Sequence, residues 1–164
     1  MNLQSRYWSD MTNLKFKLYY VDYFYENYSS WDNGINIFLA FLSCGSIAGW
    51  SIWNSIPFVW TFLIAISQVI TAIRPHLSLS KYIKSLYTFS INANNIFLDY
   101  EDNWYKVANG ELTNEEINSL ISKLKRKLTK LTDTNITPTH VPENNTKALK
   151  KAQENTEAYF RSFK

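Results

Sequence analysis

The most constraining feature of this 164-residue chain is a long stretch without any charged residue or histidine, between Asp32 and Arg74. It contains two apolar runs, Ile35–Trp53 and Pro57–Ile73, joined by a short segment that favours a tight turn. Each run approaches the roughly 20 residues that cross a hydrocarbon core of about 30 Å. The stretch therefore predicts a two-span transmembrane hairpin. The alternative is a helical hairpin buried inside a water-soluble fold.

Tryptophans and basic residues orient the predicted hairpin. Trp31 precedes the first span and other tryptophans flank the turn, as indole rings do at the level of lipid headgroups. The turn has no Lys or Arg, whereas Lys15 and Lys17 precede the hairpin and Lys81 and Lys84 follow it. The positive-inside rule then places both termini of a multi-pass protein in the cytoplasm. A cleaved signal peptide is not expected, since no small-residue cleavage site ends the apolar run.

Amphipathic helices are predicted on both sides of the hairpin, so the expected fold class is all-α. The expected segments are an aromatic amphipathic N-terminal helix (1–33), the transmembrane hairpin (34–74), cytosolic helices (75–132), a loop (133–142) and a basic C-terminal helix (143–164). Pro75 is expected to close the second span, because the residue before a proline disfavours helical geometry.

Two apolar stripes alternate spacings of four and three residues, the pattern of a heptad seam. The stripes are Tyr7, Met11, Leu14, Leu18, Val21, Tyr25 and Tyr28, and Leu79, Ile83, Leu86, Ser90, Ala93, Phe97, Tyr100, Trp104 and Val107. The helix that carries the first stripe is expected to lie in the membrane interface, or to pack against helices of the same or a neighbouring subunit. The second stripe predicts a helix from Ser78 to Ala108, with Asn109-Gly110 as its stop. Oligomerisation is expected to supply the helices that face this stripe.

The C-terminal part of the chain is basic. Thr113 and Glu116 form a capping box that opens a helix with the inner stripe Ile117, Leu120, Ile121, Leu124, Leu128 and Leu131. Positive charges in this region favour phosphate groups, although a solvated face is the alternative. The candidate anion-binding residues are Lys123, Lys125, Arg126, Lys127, Lys130, Lys147, Lys150 and Lys151.

Small and polar residues within the predicted spans suggest helix contacts. Gly45 and Gly49 form a GxxxG element, which lets two helices approach closely within one hairpin or between subunits. One face of the second span carries small and weakly polar residues. These residues either form hydrogen bonds within the hairpin or line a pore. The candidate pore-lining residues are Thr61, Ala65, Gln68, Thr71 and Ala72.

No pattern of catalytic chemistry is found in the sequence. Cys44 is the only cysteine, so disulfides within the chain and cysteine-rich metal sites are excluded. There is no glycine-rich phosphate loop and no nucleophile elbow, and His76 and His140 lie far apart. We therefore expect that the chain is not an enzyme and that it needs no metal or cofactor.

An aromatic N-terminal helix, a tight two-span hairpin, a heptad-patterned helix and a short helical tail together resemble the SLATT superfamily of two-transmembrane bacterial effectors. The resemblance lies in architecture and covers nearly the whole chain. It implies a homo-oligomeric pore, a tetramer or larger, in the bacterial inner membrane. A cyclic nucleotide or oligonucleotide from a partner nucleotidyltransferase would control this antiphage, abortive-infection effector. The alternatives are a non-conducting membrane anchor or adaptor, and a ligand-independent pore former of the holin or toxin type.

Overall fold

A computed structural model describes residues 2–48, 57–77, 79–136 and 141–163 of the chain. These residues form five α-helices and no strand, which confirms the expected all-α class. The helices are α1 (Leu3–Ala48), α2 (Pro57–Leu77), α3 (Leu79–Ala108), α4 (Asn114–Asn135) and α5 (Thr146–Phe160), followed by a 3-10 turn (Arg161–Phe163).

The chain divides into two compact units. Residues 1–26 and 84–164 form the first, here called the helical bundle, and residues 27–83 form the second, here called the apolar unit. Helix α1 runs through residues 33 and 34 without a break, where the sequence analysis placed a segment boundary. That boundary was placed where side-chain polarity changes. A helix can continue across such a change, because its hydrogen bonds join backbone groups.

Both predicted stripes are largely buried in the core of the helical bundle. Tyr7, Met11, Leu14, Leu18 and Val21 of α1 are buried, as are Leu86, Ala93, Phe97, Tyr100 and Val107 of α3. The two helices are joined by the Tyr7 hydroxyl, which donates to the Tyr100 carbonyl over 2.9 Å. The partners of these stripes are therefore helices of the same chain, whereas oligomerisation had been expected to supply those of α3.

Helices α4 and α5 begin and pack as their sequence patterns predict. The capping box at Thr113 and Glu116 is confirmed, and Gly110 has the positive φ of 73° that suits a glycine after a helix end. Each helix turns an apolar side inward: Ile117, Ile121 and Leu124 are buried on α4, and Ala148, Ala152 and Phe160 on α5.

The contacts of α3 place α4 and α5 on different sides of it. Asp99 accepts a hydrogen bond from Lys127 of α4, and Glu101 accepts one from the Tyr159 hydroxyl of α5. Residues two positions apart in an α-helix differ by about 200° of rotation, so the side chains of Asp99 and Glu101 leave α3 in nearly opposite directions. The basic residues of α4 and α5 therefore belong to separate surfaces.

The apolar unit holds α2 and the second part of α1. Helix α2 continues to Leu77, past Pro75, where the sequence analysis expected it to end. Among the described residues no single helix is long and apolar enough to span a bilayer, and only Thr61–His76 and Leu79–Ala108, counted together, reach that length and hydropathy. The predicted first span runs on into residues 49–53, which lie outside the described residues, as does Ser78. The two-span hairpin stays a prediction.

Candidate functional site

The predicted basic residues of α4 fall into two groups. Lys125 and Lys127 form partly exposed ion pairs with acidic residues of the same bundle, with Asp10 at 2.9 Å and with Asp99 at 2.8 Å. Lys123, Arg126 and Lys130 are exposed, and no acidic side chain of the described chain lies within ion-pairing distance of them. Together with Ser119, Ser122 and Lys127 they line a shallow cavity of about 430 Å³, here called the α4 basic groove.

The α4 basic groove has the chemistry of an anion site. Lys123, Arg126 and Lys130 are three and then four residues apart, so they share one helix face and span about 10 Å along the axis. The guanidinium of Arg126 and the two ammonium groups are hydrogen-bond donors without acceptor lone pairs, and serine hydroxyls add donors to the wall. Such a groove can pair with phosphate oxygens through charge-assisted hydrogen bonds.

The predicted basic residues of α5 lie on a different surface. Lys150 pairs with Glu154 at 3.9 Å on the same helix, and Lys151 pairs with Glu26 at 2.9 Å. The hydrogen bond from Lys151 to Glu26 raises the pKa of that lysine. Lys147 is exposed. The eight candidate residues are therefore not gathered into one site, and four of them line the α4 basic groove.

All five predicted pore-lining residues of α2 are exposed. These are Thr61, Ala65, Gln68, Thr71 and Ala72. The Thr71 hydroxyl donates to the Ser67 carbonyl of its own helix over 2.8 Å, which satisfies that hydroxyl without a partner helix. The primary amide of Gln68 is costly to expose to lipid, so in a membrane it would face another helix or water.

The predicted glycine contact is described only in part. Gly45 lies in α1, whereas Gly49 lies outside the described residues. The proposed close approach of two helices at these glycines therefore stays a prediction.

An ion pair that the sequence analysis did not anticipate joins the two helices of the apolar unit. Arg74 of α2 donates to Asp32 of α1 over 2.9 Å, and both side chains are partly buried. These two residues are the charges that bound the uncharged stretch. A hairpin brings the two ends of such a stretch together. The acidic residue at one end and the basic residue at the other were therefore the sequence feature from which this ion pair could have been predicted.

Two features of the described chain are thus open to partners: the α4 basic groove and the exposed apolar side chains of the apolar unit. Comparison of the chain with known proteins finds no matching family model, no similar curated protein and no similar solved structure.

Proposed function

We propose that the chain is a two-span membrane protein that forms a homo-oligomeric pore, whose opening is controlled by a nucleotide or oligonucleotide in the α4 basic groove. The observation that carries this proposal is the apolar surface of the apolar unit. Large apolar side chains stand exposed on both of its helices, up to 85% for Phe58 and 71% for Trp31. The others are Ile37, Phe41, Val59, Phe62, Ile64, Val69 and Ile73. Apolar surface of this extent marks a contact with lipid or protein.

The charges at the edge of this surface support a membrane contact. The only charged residues adjoining the uncharged stretch, Asp32 and Arg74, neutralise each other in one ion pair. Pairing lowers the cost of holding both groups at the level of the lipid headgroups, where Arg74 also reaches water through its long side chain. The exposed face around Gln68 then needs water or another subunit, which an oligomeric pore supplies.

A stripe on the outer face of α3 supports assembly of several copies. Tyr87, Leu98 and Tyr105 are exposed at spacings of eleven and seven residues. These spacings place the three side chains on one helix face. Because the inner face of α3 is buried in its own bundle, this outer stripe is the surface left for neighbouring subunits.

The wider role of the proposed pore comes from the resemblance in architecture to the SLATT superfamily. In that role a nucleotide messenger, made by a partner nucleotidyltransferase during infection, changes the opening of the pore and depolarises the bacterial inner membrane. The α4 basic groove supports the step in which an anion is recognised. A ligand that binds one arrangement of subunits more tightly than another shifts the population toward it.

The test of the pore is ion flux through liposomes that contain the purified protein. We expect flux that depends on an added cyclic nucleotide or oligonucleotide. We also expect Gln68→Leu to reduce that flux, because it removes the polar group from the proposed lining, whereas Val69→Leu on the neighbouring position serves as the control. Flux without any ligand would identify a toxin-like pore, and the absence of flux under every condition would leave a membrane anchor.

Neutralising the α4 basic groove is expected to weaken polyanion binding. In the variant Lys123→Gln, Arg126→Gln, Lys130→Gln, three phosphate contacts are lost, so the slope of log affinity against log salt for a single-stranded oligonucleotide should flatten by about 2 units. The control is Lys147→Gln, Lys150→Gln, Lys151→Gln on α5, which changes the net charge equally. Equal losses in the two variants would mean that net charge, rather than the groove, binds the polyanion.

A further inference from the structure

A polar cavity that opens at the surface of the helical bundle is separate from the α4 basic groove. It lies between α1 and α3 and has a volume of about 260 Å³. Its lining combines one ammonium, one carboxylate, hydroxyl groups and two primary amides with the apolar side chains of Leu18 and Ile91. The lining residues are Lys15, Leu18, Tyr19, Asp22, Ser90, Ile91, Asn94 and Asn95.

Lys15 is a buried cation without a carboxylate partner. Only 9% of its surface is exposed, and its Nζ lies 4.2 Å from the ring centre of Phe97 and 4.1 Å from that of Tyr159. The two rings stabilise the positive charge but accept no conventional hydrogen bond. Within the described chain no acidic group lies at ion-pairing distance from this ammonium. Burial lowers the pKa of Lys15, and the more distant charges of Glu101 and Asp22 oppose that shift only in part. Lys15 lines the cavity, and its ammonium makes no hydrogen bond or ion pair with the described residues that would compete with an anionic group.

Asp22 supplies the opposite charge to the same cavity. Its Oδ1 accepts a hydrogen bond from the Ser90 hydroxyl over 2.5 Å, which fixes the orientation of the carboxylate. Burial raises the pKa of Asp22, as expected for a carboxylate held away from bulk water. Asn94 and Asn95 are exposed at the cavity wall, where their amides can both donate and accept hydrogen bonds.

We propose that this cavity binds a small zwitterion of the free α-amino acid class, with the ligand carboxylate on Lys15 and the ligand ammonium facing Asp22. A simple anion would meet the like charge of Asp22, and a simple amine would meet that of Lys15. Only a ligand that carries both charges complements both groups. At about 30 Å³ for each water in the liquid, the cavity has room for roughly eight or nine water volumes, which suits a small amino acid.

The test is isothermal titration calorimetry of the full-length protein in detergent with the proteinogenic amino acids, and with acetate and methylamine as probes of single charge. We expect saturable binding of at least one amino acid and none of acetate or methylamine. Absence of binding by every amino acid at millimolar concentration overturns the proposal. Equal binding of acetate also overturns it, because the cavity would then be a site for simple anions.

Variants assign any binding to this cavity. Lys15→Met keeps an unbranched side chain but removes the charge, and Asp22→Asn removes the other charge, so each should weaken binding by at least about tenfold. Lys17→Met is the control, because Lys17 is an exposed lysine of the same helix that does not line the cavity. If Lys15→Met does not fold, the exposed pair Asn94→Ala and Asn95→Ala provides the second test. Unchanged affinity in the folded variants overturns the proposal, whether or not the protein conducts ions.

Discussion

Replacing Phe97 by alanine is expected to destabilise the helical bundle by about 3–5 kcal/mol. The Phe97 side chain is fully buried, with 0% of its surface exposed. Its ring centre lies 5.6 Å from that of Tyr159 and 6.3 Å from that of Phe160, so it joins α3 to α5. The substitution leaves a cavity, removes both aromatic contacts and takes away one of the rings that hold the Lys15 ammonium.

The measurement is urea unfolding of the detergent-solubilised protein, followed by circular dichroism. Asp102→Ala is the control, because Asp102 lies on the same helix, is exposed and is outside the stripe proposed to contact other subunits. An exposed substitution away from the core usually changes the free energy of unfolding by no more than about 0.5 kcal/mol. Similar losses for the two variants would show that Phe97 is not part of a packed core, and would also remove the basis for a fixed Lys15 site.

The helices of the bundle were predictable because their signals are local. The stripe from Leu79 to Val107 specified α3, and the observed helix ends at Ala108, where Asn109-Gly110 predicted the stop. The capping box at Thr113 likewise specified the start of α4. Periodicity and caps depend on residues a few positions apart, so one sequence contains all the information they need.

The partners of those helices were not predictable from periodicity. An apolar stripe shows that a face is buried, but it does not show which helix covers it. The same limit applies to the basic residues, because Lys125 pairs with Asp10 and Lys127 with Asp99 through contacts between distant parts of the chain. Charge density along α4 therefore predicted an anion-binding surface without separating the paired cations from the unpaired ones.

The burial of Lys15 could not be predicted from the sequence pattern. In the sequence it counts as one of the basic residues before the hairpin, where the positive-inside rule expects it to be solvated. Its buried position results in part from Phe97 of α3 and Tyr159 of α5, whose ring centres lie 4.2 Å and 4.1 Å from the ammonium nitrogen. Lysine beside a hydrophobic stripe is ordinarily a surface residue, so no local signal marks this one.

The buried tyrosines predict that the bundle loses stability in alkaline solution. Burial raises the pKa of Tyr100 from its usual 10 to about 12, and that of Tyr7 further. Because the folded-state pKa is raised, the folded protein keeps phenol protons that the unfolded chain releases above pH 10. This contribution to stability is complete below pH 10 and is lost as pH rises from 10 toward the folded-state pKa.

The expected loss is large because the two phenols act in the same direction. At about 1.4 kcal/mol for each full pH unit, and with partial ionisation at both ends of the range, Tyr100 alone accounts for roughly 2 kcal/mol between pH 10 and pH 12. Tyr7 adds to this, since its hydroxyl donates to the Tyr100 carbonyl and a phenolate has no proton to donate. Lysine ion pairs such as Lys151 with Glu26 weaken in the same range and contribute a background to the slope.

Urea unfolding from pH 8 to pH 12 separates the phenols from that background. The variant Tyr7→Phe, Tyr100→Phe keeps both rings but has no buried phenol at these positions, so its stability should start lower and fall less steeply above pH 10. Tyr105→Phe is the control, because Tyr105 is 64% exposed and its loss should leave the slope unchanged. Parallel curves for all three proteins would contradict the burial of Tyr7 and Tyr100. A slope that flattens only in the double variant would assign the alkaline transition to the contact between α1 and α3, the same pair of helices that forms the polar cavity around Lys15.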